Sequence, residues 1–150
     1  MVTIPIKAVA SRSQVRVLVV DDYEQFRQFV RSALGKTPEL KIVGEAFDGL
    51  DAVHKAEDLR PDLILLDIGL PNLNGLDAAR RIRTICPESK ILFLSQESSV
   101  HVVETALSLG ARGYLIKDDA GDDLLEAIGD VIEGKTFVSP GLLSSGEAPV

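Results

Sequence analysis

The sequence predicts a doubly wound α/β domain built on a five-stranded parallel sheet. Two observations predict this fold class: short β-branched runs alternate five times with helical patterns, and the most apolar run stands in the middle of the series. Strands that alternate with helices favour a parallel sheet covered on both faces by right-handed crossovers. Such sheets bind ligands beyond the carboxyl ends of their strands, so those ends are where functional residues are sought.

Five apolar runs are the predicted strands. They span residues 15–20, 40–47, 62–67, 90–94 and 112–116. The third is the most apolar and is therefore expected at the centre of the sheet, where strands are buried on both faces. Apolar residues at helical spacing predict a helix after each strand. These faces are marked by Phe26, Phe29, Val30, Ala33 and Leu34; by Ala52, Val53, Ala56 and Leu59; by the segment 76–85; by Val103, Ala106 and Leu107; and by Leu124, Leu125, Ile128, Val131 and Ile132.

The length of 150 residues fits one domain. We assign that domain to residues 15–134. Residues 1–14 lack periodicity and are interpreted as a flexible N-terminal arm, and residues 135–150, which are rich in Gly, Ser and Pro, as a C-terminal tail or linker remnant.

Charge and composition exclude several functional classes. The net charge of −7 argues against broad electrostatic attraction to nucleic acid. No apolar run approaches the roughly 20 residues that cross a bilayer, and the first residues are too interrupted for a secretory signal. The single Cys86 cannot form an internal disulfide. We therefore expect a soluble cytoplasmic protein with no membrane partner.

Charged side chains follow three of the predicted strands. Asp21 and Asp22 follow the first, Asp67 closes the third, and Lys117 follows the fifth. Three neighbouring carboxylates disfavour joint ionisation, so a positive partner is expected. Mg²⁺ takes oxygen ligands and keeps positions for water and phosphate. The three acids and the backbone carbonyl of Gly69 are the predicted metal ligands, and phosphate is expected in the open positions.

Asp67 is the candidate nucleophile of this site. Carboxylates beside a metal form aspartyl phosphates. Lys117 is suited to pair with a carboxylate at rest and with a phosphoryl oxygen after transfer. Each residue alone has an ordinary explanation as a helix cap, a turn former or a surface lysine, but their occurrence together at three strand ends favours a site.

Four motifs in order resemble the receiver domains of two-component response regulators. They are Val-Leu-Val-Val-Asp21-Asp22, Leu-Leu-Asp67-Ile-Gly-Leu-Pro-Asn-Leu-Asn-Gly75, Leu-Ser95 and Gly-Tyr114-Leu-Ile-Lys117, within about residues 15–133. The resemblance implies a flavodoxin-like three-layer sandwich with strand order 2-1-3-4-5. It also implies that Asp67 accepts a phosphoryl group from a histidine kinase or phosphotransfer protein. Such a domain is a phosphoacceptor, with slow self-dephosphorylation at most, and not an enzyme.

The same resemblance implies roles for the other site residues. Asp21 and Asp22 look like the metal-binding pair, and Lys117 looks like the phosphate-binding lysine. Ser95 resembles the switch hydroxyl and Tyr114 the rotating switch aromatic. Phosphorylation adds about −1.5 to −2 charge, and the face formed by the fourth helix, fifth strand and fifth helix is expected to change in response.

The segments 71–75 and 134–140 look most like the NarL/FixJ type, in which a linker and a helix-turn-helix domain follow the receiver. DNA is therefore an expected partner only if such a domain exists beyond these residues, and the chain is either a stand-alone receiver or a shortened transcription factor. A homodimer is a further expectation. One departure from the family is Gln96. The family usually has a small residue at this position, and the longer glutamine is expected to narrow the access of phosphate to the site.

Two alternatives stay open at this point. A receiver-like interaction module that works without phosphate is motivated by Gln96 and by the missing output domain. A metal-dependent phosphohydrolase would use Asp67 as a transient nucleophile. The latter lacks an obvious second catalytic acid, because Asp67 is followed by Ile68 and Gly69.

Overall fold

The computed structural model describes residues 14–143, so nearly all of the predicted N-terminal arm and residues 144–150 lie outside the described residues. Strands and helices alternate in chain order. They are β1 (Val15–Val20), α1 (Glu24–Gly35), β2 (Leu40–Ala46), α2 (Gly49–Leu59), β3 (Leu63–Leu66), α3 (Gly75–Ile85), β4 (Lys90–Ser95), α4 (Val100–Ser108), β5 (Gly113–Ile116), a 3₁₀ turn (Lys117–Asp119), α5 (Ala120–Ile132), β6 (Phe137–Val138) and α6 (Pro140–Leu143). The bounds of the five predicted strands agree with these to within one residue.

All strand pairs are parallel, in the order β2-β1-β3-β4-β5-β6. The predicted α/β class and the order of the first five strands are confirmed. β3 lies between β1 and β4, and all four of its residues are buried, as expected of a central strand. Val20 pairs with Leu66, so the residues that follow β1 and β3 meet at one edge of the sheet.

A sixth strand corrects the prediction of five. Phe137 and Val138 pair with Gly113 and Tyr114 of β5. The sequence pattern assigns these two residues to a tail or linker remnant, but the structure adds them to the sheet. A strand of two residues is too short to show an alternating pattern. It forms here because β5 would otherwise present an open edge.

Apolar side chains pack on both faces of the sheet. Val17 and Val19 of β1 belong to one hydrophobic cluster with residues of α1 and α5, whereas Leu18 and Val20 belong to a second cluster with residues of α2, α3 and α4. This is the predicted three-layer sandwich. Within the described range 14–143, no helix combines the length and apolar character needed to cross a membrane.

Candidate functional site

The strand ladder holds two of the acids at the rim of the sheet. The backbone N–H of Asp21 donates to the carbonyl of Ala46 at 3.0 Å, and that of Asp67 donates to the carbonyl of Val20 at 3.0 Å. Both side chains are buried, whereas Asp22, the next residue after Asp21, is exposed. The ladder therefore continues one residue past β1 and β3 and brings the two buried carboxylates side by side.

The structure brings together the four charged residues predicted at the strand ends. Carboxylate oxygens of Asp21, Asp22 and Asp67 lie within 4.8 Å of one another. Lys117 Nζ lies 2.7 Å from Asp21 Oδ2 and 3.4 Å from Asp67 Oδ2. The lysine is thus closer to Asp21 than to Asp67, the candidate nucleophile.

Burial raises the pKa of the Asp67 carboxyl above its usual range. The positive charge of Lys117 opposes this rise in pKa, and the negative charge of Asp21 adds to it. A cation bound beside these carboxylates would stabilise the ionised form of Asp67.

The oxygen atoms of the cluster fit a hard divalent cation. Asp21 Oδ2 is fully buried and, among the described residues, accepts no hydrogen bond of good geometry, although Lys117 Nζ lies 2.7 Å away. Asp21 Oδ1 accepts from the N–H of Tyr23 at 2.8 Å, and Asp67 Oδ1 accepts from the N–H of Gly69 at 3.3 Å. A buried carboxylate oxygen with spare acceptor capacity, beside two more carboxylates, is a donor set suited to Mg²⁺. The carbonyl of Gly69 stays a predicted ligand.

A cleft of about 370 Å³ opens over the cluster, and its lining includes Asp22, Asp67, Ser95, Gln96 and Lys117. Ser95 closes β4 and is 2% exposed, and its Oγ accepts from the N–H of Glu97 at 3.0 Å. Gln96 is exposed at the rim of the cleft. Both the predicted switch hydroxyl and the glutamine that follows it thus line the same cleft as Asp67.

Tyr114 lies inward, within the hydrophobic cluster under α4. Its ring is fully buried, and its hydroxyl donates to the carbonyl of Glu97 at 2.7 Å. Burial raises the pKa of this hydroxyl. The rotation of Tyr114 stays a prediction. Its partner Glu97 was missed from the sequence, because it accepts through a backbone carbonyl that any residue would supply.

A second missed residue is Arg27 of α1, whose guanidinium contacts the loop that carries Asp21 and Asp22. It is buried together with Val30 and Leu34, three and seven residues further along the helix. A charged residue on the buried stripe of a helix was the signal that could have found it.

The loop after β3 packs tightly against the backbone of Asp67. The N–H of Gly75 donates to the carbonyl of Ile68 at 2.7 Å, and a Cβ added at Gly75 would lie 2.0 Å from the carbonyl oxygen of Asp67. We expect Gly75→Ala to lower the free energy of unfolding by about 2–3 kcal/mol, since backbone atoms must shift. The matched control is Gly35→Ala, where nothing lies within 4 Å. Urea unfolding measures both, and equal stabilities would contradict the packing described.

The family model that matches this chain is the response regulator receiver domain, over residues 17–129. The chain belongs to this family, and it is a receiver domain of the kind found in two-component systems. It is 35% identical to the transcriptional regulatory protein DegU of Brevibacillus brevis, over 87% of this chain and 55% of that protein. It is also 35% identical to the nitrate/nitrite response regulator NarL of Escherichia coli strain K12, over 89% of this chain and 62% of that protein. The chain thus spans between half and two thirds of the length of these curated relatives.

A solved structure supports the same assignment. The signal receiver domain of the response regulator NarL from Mycobacterium tuberculosis has a TM-score of 0.78 and 33% sequence identity with this chain, covering 83% of this chain and 100% of that one. The predicted resemblance to response-regulator receivers and the predicted receiver fold are confirmed.

Proposed function

We propose that Asp67 accepts a phosphoryl group from a phosphohistidine of a histidine kinase or phosphotransfer protein, and that this modification switches the domain. The observation that carries the proposal is the cluster of Asp21, Asp22 and Asp67 within 4.8 Å, with Lys117 beside it and a cleft above it. Membership of the receiver family supports it. Asp21, Asp22, Asp67 and the carbonyl of Gly69 are the residues that would hold Mg²⁺.

The proposed transfer is a displacement at phosphorus. A carboxylate oxygen of Asp67 attacks, a P–O bond forms, and the P–N bond to the donor imidazole breaks. The imidazole nitrogen leaves with the electron pair of the P–N bond, and the ring, whose other nitrogen carries a proton, is released as neutral imidazole. Mg²⁺ would supply positive charge against the transferring phosphoryl oxygens. Lys117, whose Nζ lies 3.4 Å from Asp67 Oδ2, then donates to a phosphoryl oxygen in place of that carboxylate.

The proposed switch links Ser95 to Tyr114 through Glu97. Ser95 Oγ accepts from the N–H of Glu97, and the carbonyl of the same residue accepts from the Tyr114 hydroxyl. When Ser95 turns to donate to the phosphoryl group, the loop after β4, which contains Glu97, moves with it. The hydrogen bond to Tyr114 then carries the movement to the face formed by α4, β5 and α5.

The proposal requires phosphoryl uptake to depend on Mg²⁺. We expect the wild-type protein to take up one phosphoryl group from acetyl phosphate or a phosphohistidine donor in Mg²⁺, and essentially none in EDTA, by intact mass. Transfer from a phosphoester that repeats over many turnovers would instead favour a phosphohydrolase. Uptake that is unchanged in EDTA would contradict the proposed role of the acidic cluster.

Gln96 is expected to limit access to the site. Its exposed side chain stands at the cleft beside Ser95. We expect Gln96→Ala to raise the rates of phosphoryl uptake and of hydrolysis about threefold to tenfold. Small phosphodonors would reach Asp67, and water would reach the phosphoryl group, more freely. The matched control is Ser98→Ala, at an exposed position two residues on. Identical rates in the two variants would show that Gln96 does not narrow the site.

DegU is named as a transcriptional regulator, and this chain covers 55% of its length. We propose that this receiver controls DNA binding only where a helix-turn-helix domain follows it in the same protein. A homodimer of the receiver is a further proposal.

A further inference from the structure

Arg27 is a buried cation on α1 that the proposed transfer does not use. The residue is 7% exposed, although arginine is almost never fully buried without partners. Its Nη1 donates to the carbonyl of Asp21 at 2.6 Å, its Nε donates to Glu45 at 3.1 Å, and its Nη2 pairs with Glu24. Its guanidinium carbon lies 4.1 Å from the centre of the Phe47 ring. The side chain is therefore held in one orientation from several sides.

The carbonyl that Arg27 contacts belongs to the peptide that joins Asp21 to Asp22. On one side of this peptide, the N–H of Asp21 is held by the sheet through Ala46. On the other side, the N–H of Tyr23 donates back to Asp21 Oδ1. The contact from Arg27 holds the carbonyl of the peptide between these two N–H groups. The backbone that carries both carboxylates is therefore held by hydrogen bonds on both sides and at its centre.

We propose that Arg27 is a positioning residue for the divalent cation site: it holds the Asp21–Asp22 peptide so that both carboxylates face the ion. This inference rests on the metal site of the proposed function. Partners that orient metal ligands without touching the metal commonly set the affinity, because they hold the ligand geometry before the ion arrives. Arg27 fits this description because its own orientation is determined by Glu24, Glu45 and Phe47.

The chain offers a matched control in Arg31, one helical turn further along α1. Arg31 pairs with the same two glutamates, with Nη1 2.7 Å from Glu45 Oε1 and Nη2 2.8 Å from Glu24 Oε2. Its described hydrogen bonds go to these glutamates and not to the carbonyl of Asp21. Replacing Arg31 by Gln therefore removes the same charge from the same ion-pair network but leaves the peptide of the acidic pair held.

The test is calorimetric titration of the metal-free protein with MgCl₂, for wild type, Arg27→Gln and Arg31→Gln. We expect Arg27→Gln to raise the dissociation constant for Mg²⁺ by about tenfold, the lower end for residues that orient metal ligands. Arg31→Gln should stay within about twofold of wild type. A second readout separates positioning from general damage: phosphoryl uptake by Arg27→Gln should return towards the wild-type rate at saturating Mg²⁺.

Wild-type protein that binds no Mg²⁺ would overturn the metal part of the proposed function, and this inference with it. Normal Mg²⁺ affinity in Arg27→Gln, or an equal loss in Arg31→Gln, would overturn the role of Arg27 alone. If Arg27→Gln does not fold, Arg27→Lys decides. That variant keeps the buried charge but loses the planar fork of donors. Its dissociation constant for Mg²⁺ should be at least about threefold higher than that of wild type. An unchanged dissociation constant would overturn the inference.

Discussion

Replacing Lys117 with Met should lower the free energy of unfolding by about 2–3 kcal/mol in metal-free buffer, because it leaves buried charge uncompensated. The lysine side chain is 14% exposed and its partner Asp21 is 1% exposed, with 2.7 Å between Nζ and Oδ2. Methionine keeps most of the apolar stem, so the loss reports on charge rather than on packing. Mg²⁺ should restore much of the stability, since it supplies positive charge to the same carboxylates.

The matched control for this prediction is Lys135→Met. Lys135 also pairs with an acid, Glu133, at 3.2 Å, but its side chain is 65% exposed. Exposed pairs of this kind contribute little, so we expect a change within about 0.5 kcal/mol. Urea unfolding of both variants, with EDTA and with Mg²⁺, measures the difference. A Lys117→Met protein as stable as Lys135→Met in EDTA would show that Lys117 does not stabilise the carboxylates of Asp21 and Asp67.

Asp67→Asn should stabilise the metal-free protein at neutral pH, because it removes a carboxylate whose charged form is disfavoured by burial. The folded state raises the pKa of Asp67, mainly by burial. The wild-type carboxyl therefore contributes its full stability below its unfolded pKa of about 3.9, and this contribution is lost as the pH rises through the folded pKa. Asparagine does not titrate. The advantage of the variant should therefore shrink as the pH falls towards about 4.

Thermal or urea unfolding across that pH range checks the sign. The control is Asp58→Asn, which removes an exposed carboxylate of α2 and should change stability by less than about 0.5 kcal/mol. Saturating Mg²⁺ should reduce or reverse the advantage of Asp67→Asn, because the ion binds the wild-type site more tightly. An Asp67→Asn variant that is less stable than wild type at neutral pH in EDTA would contradict the description of Asp67 as a carboxylate in an unfavourable environment.

The central part of the fold could be predicted because each strand has its own apolar run and each helix its own periodicity. β6 could not, because Phe137 and Val138 pair with β5 for a reason that lies in the tertiary structure, the open edge of the sheet. The strand order came from the resemblance, since local patterns carry no information about which strands are neighbours.

The charged part of the site was also predictable, because carboxyl ends of parallel strands meet at one edge and Asp21, Asp22, Asp67 and Lys117 all follow strands. Sequence could not show that Lys117 lies closer to Asp21 than to Asp67, since that depends on side-chain packing. Nor could it give the inward position of Tyr114, since that position also depends on how the surrounding side chains pack.

The most direct test of the phosphorylation proposal identifies the modified residue. Wild-type protein is incubated with a phosphohistidine donor and Mg²⁺, the acyl phosphate is trapped by borohydride reduction, and the peptides are sequenced by mass spectrometry. We expect the reduced side chain at position 67 and nowhere else, with no trapping in EDTA or in Asp67→Asn. Folded protein that binds Mg²⁺ but carries the modification on another residue, or on none, would contradict the account.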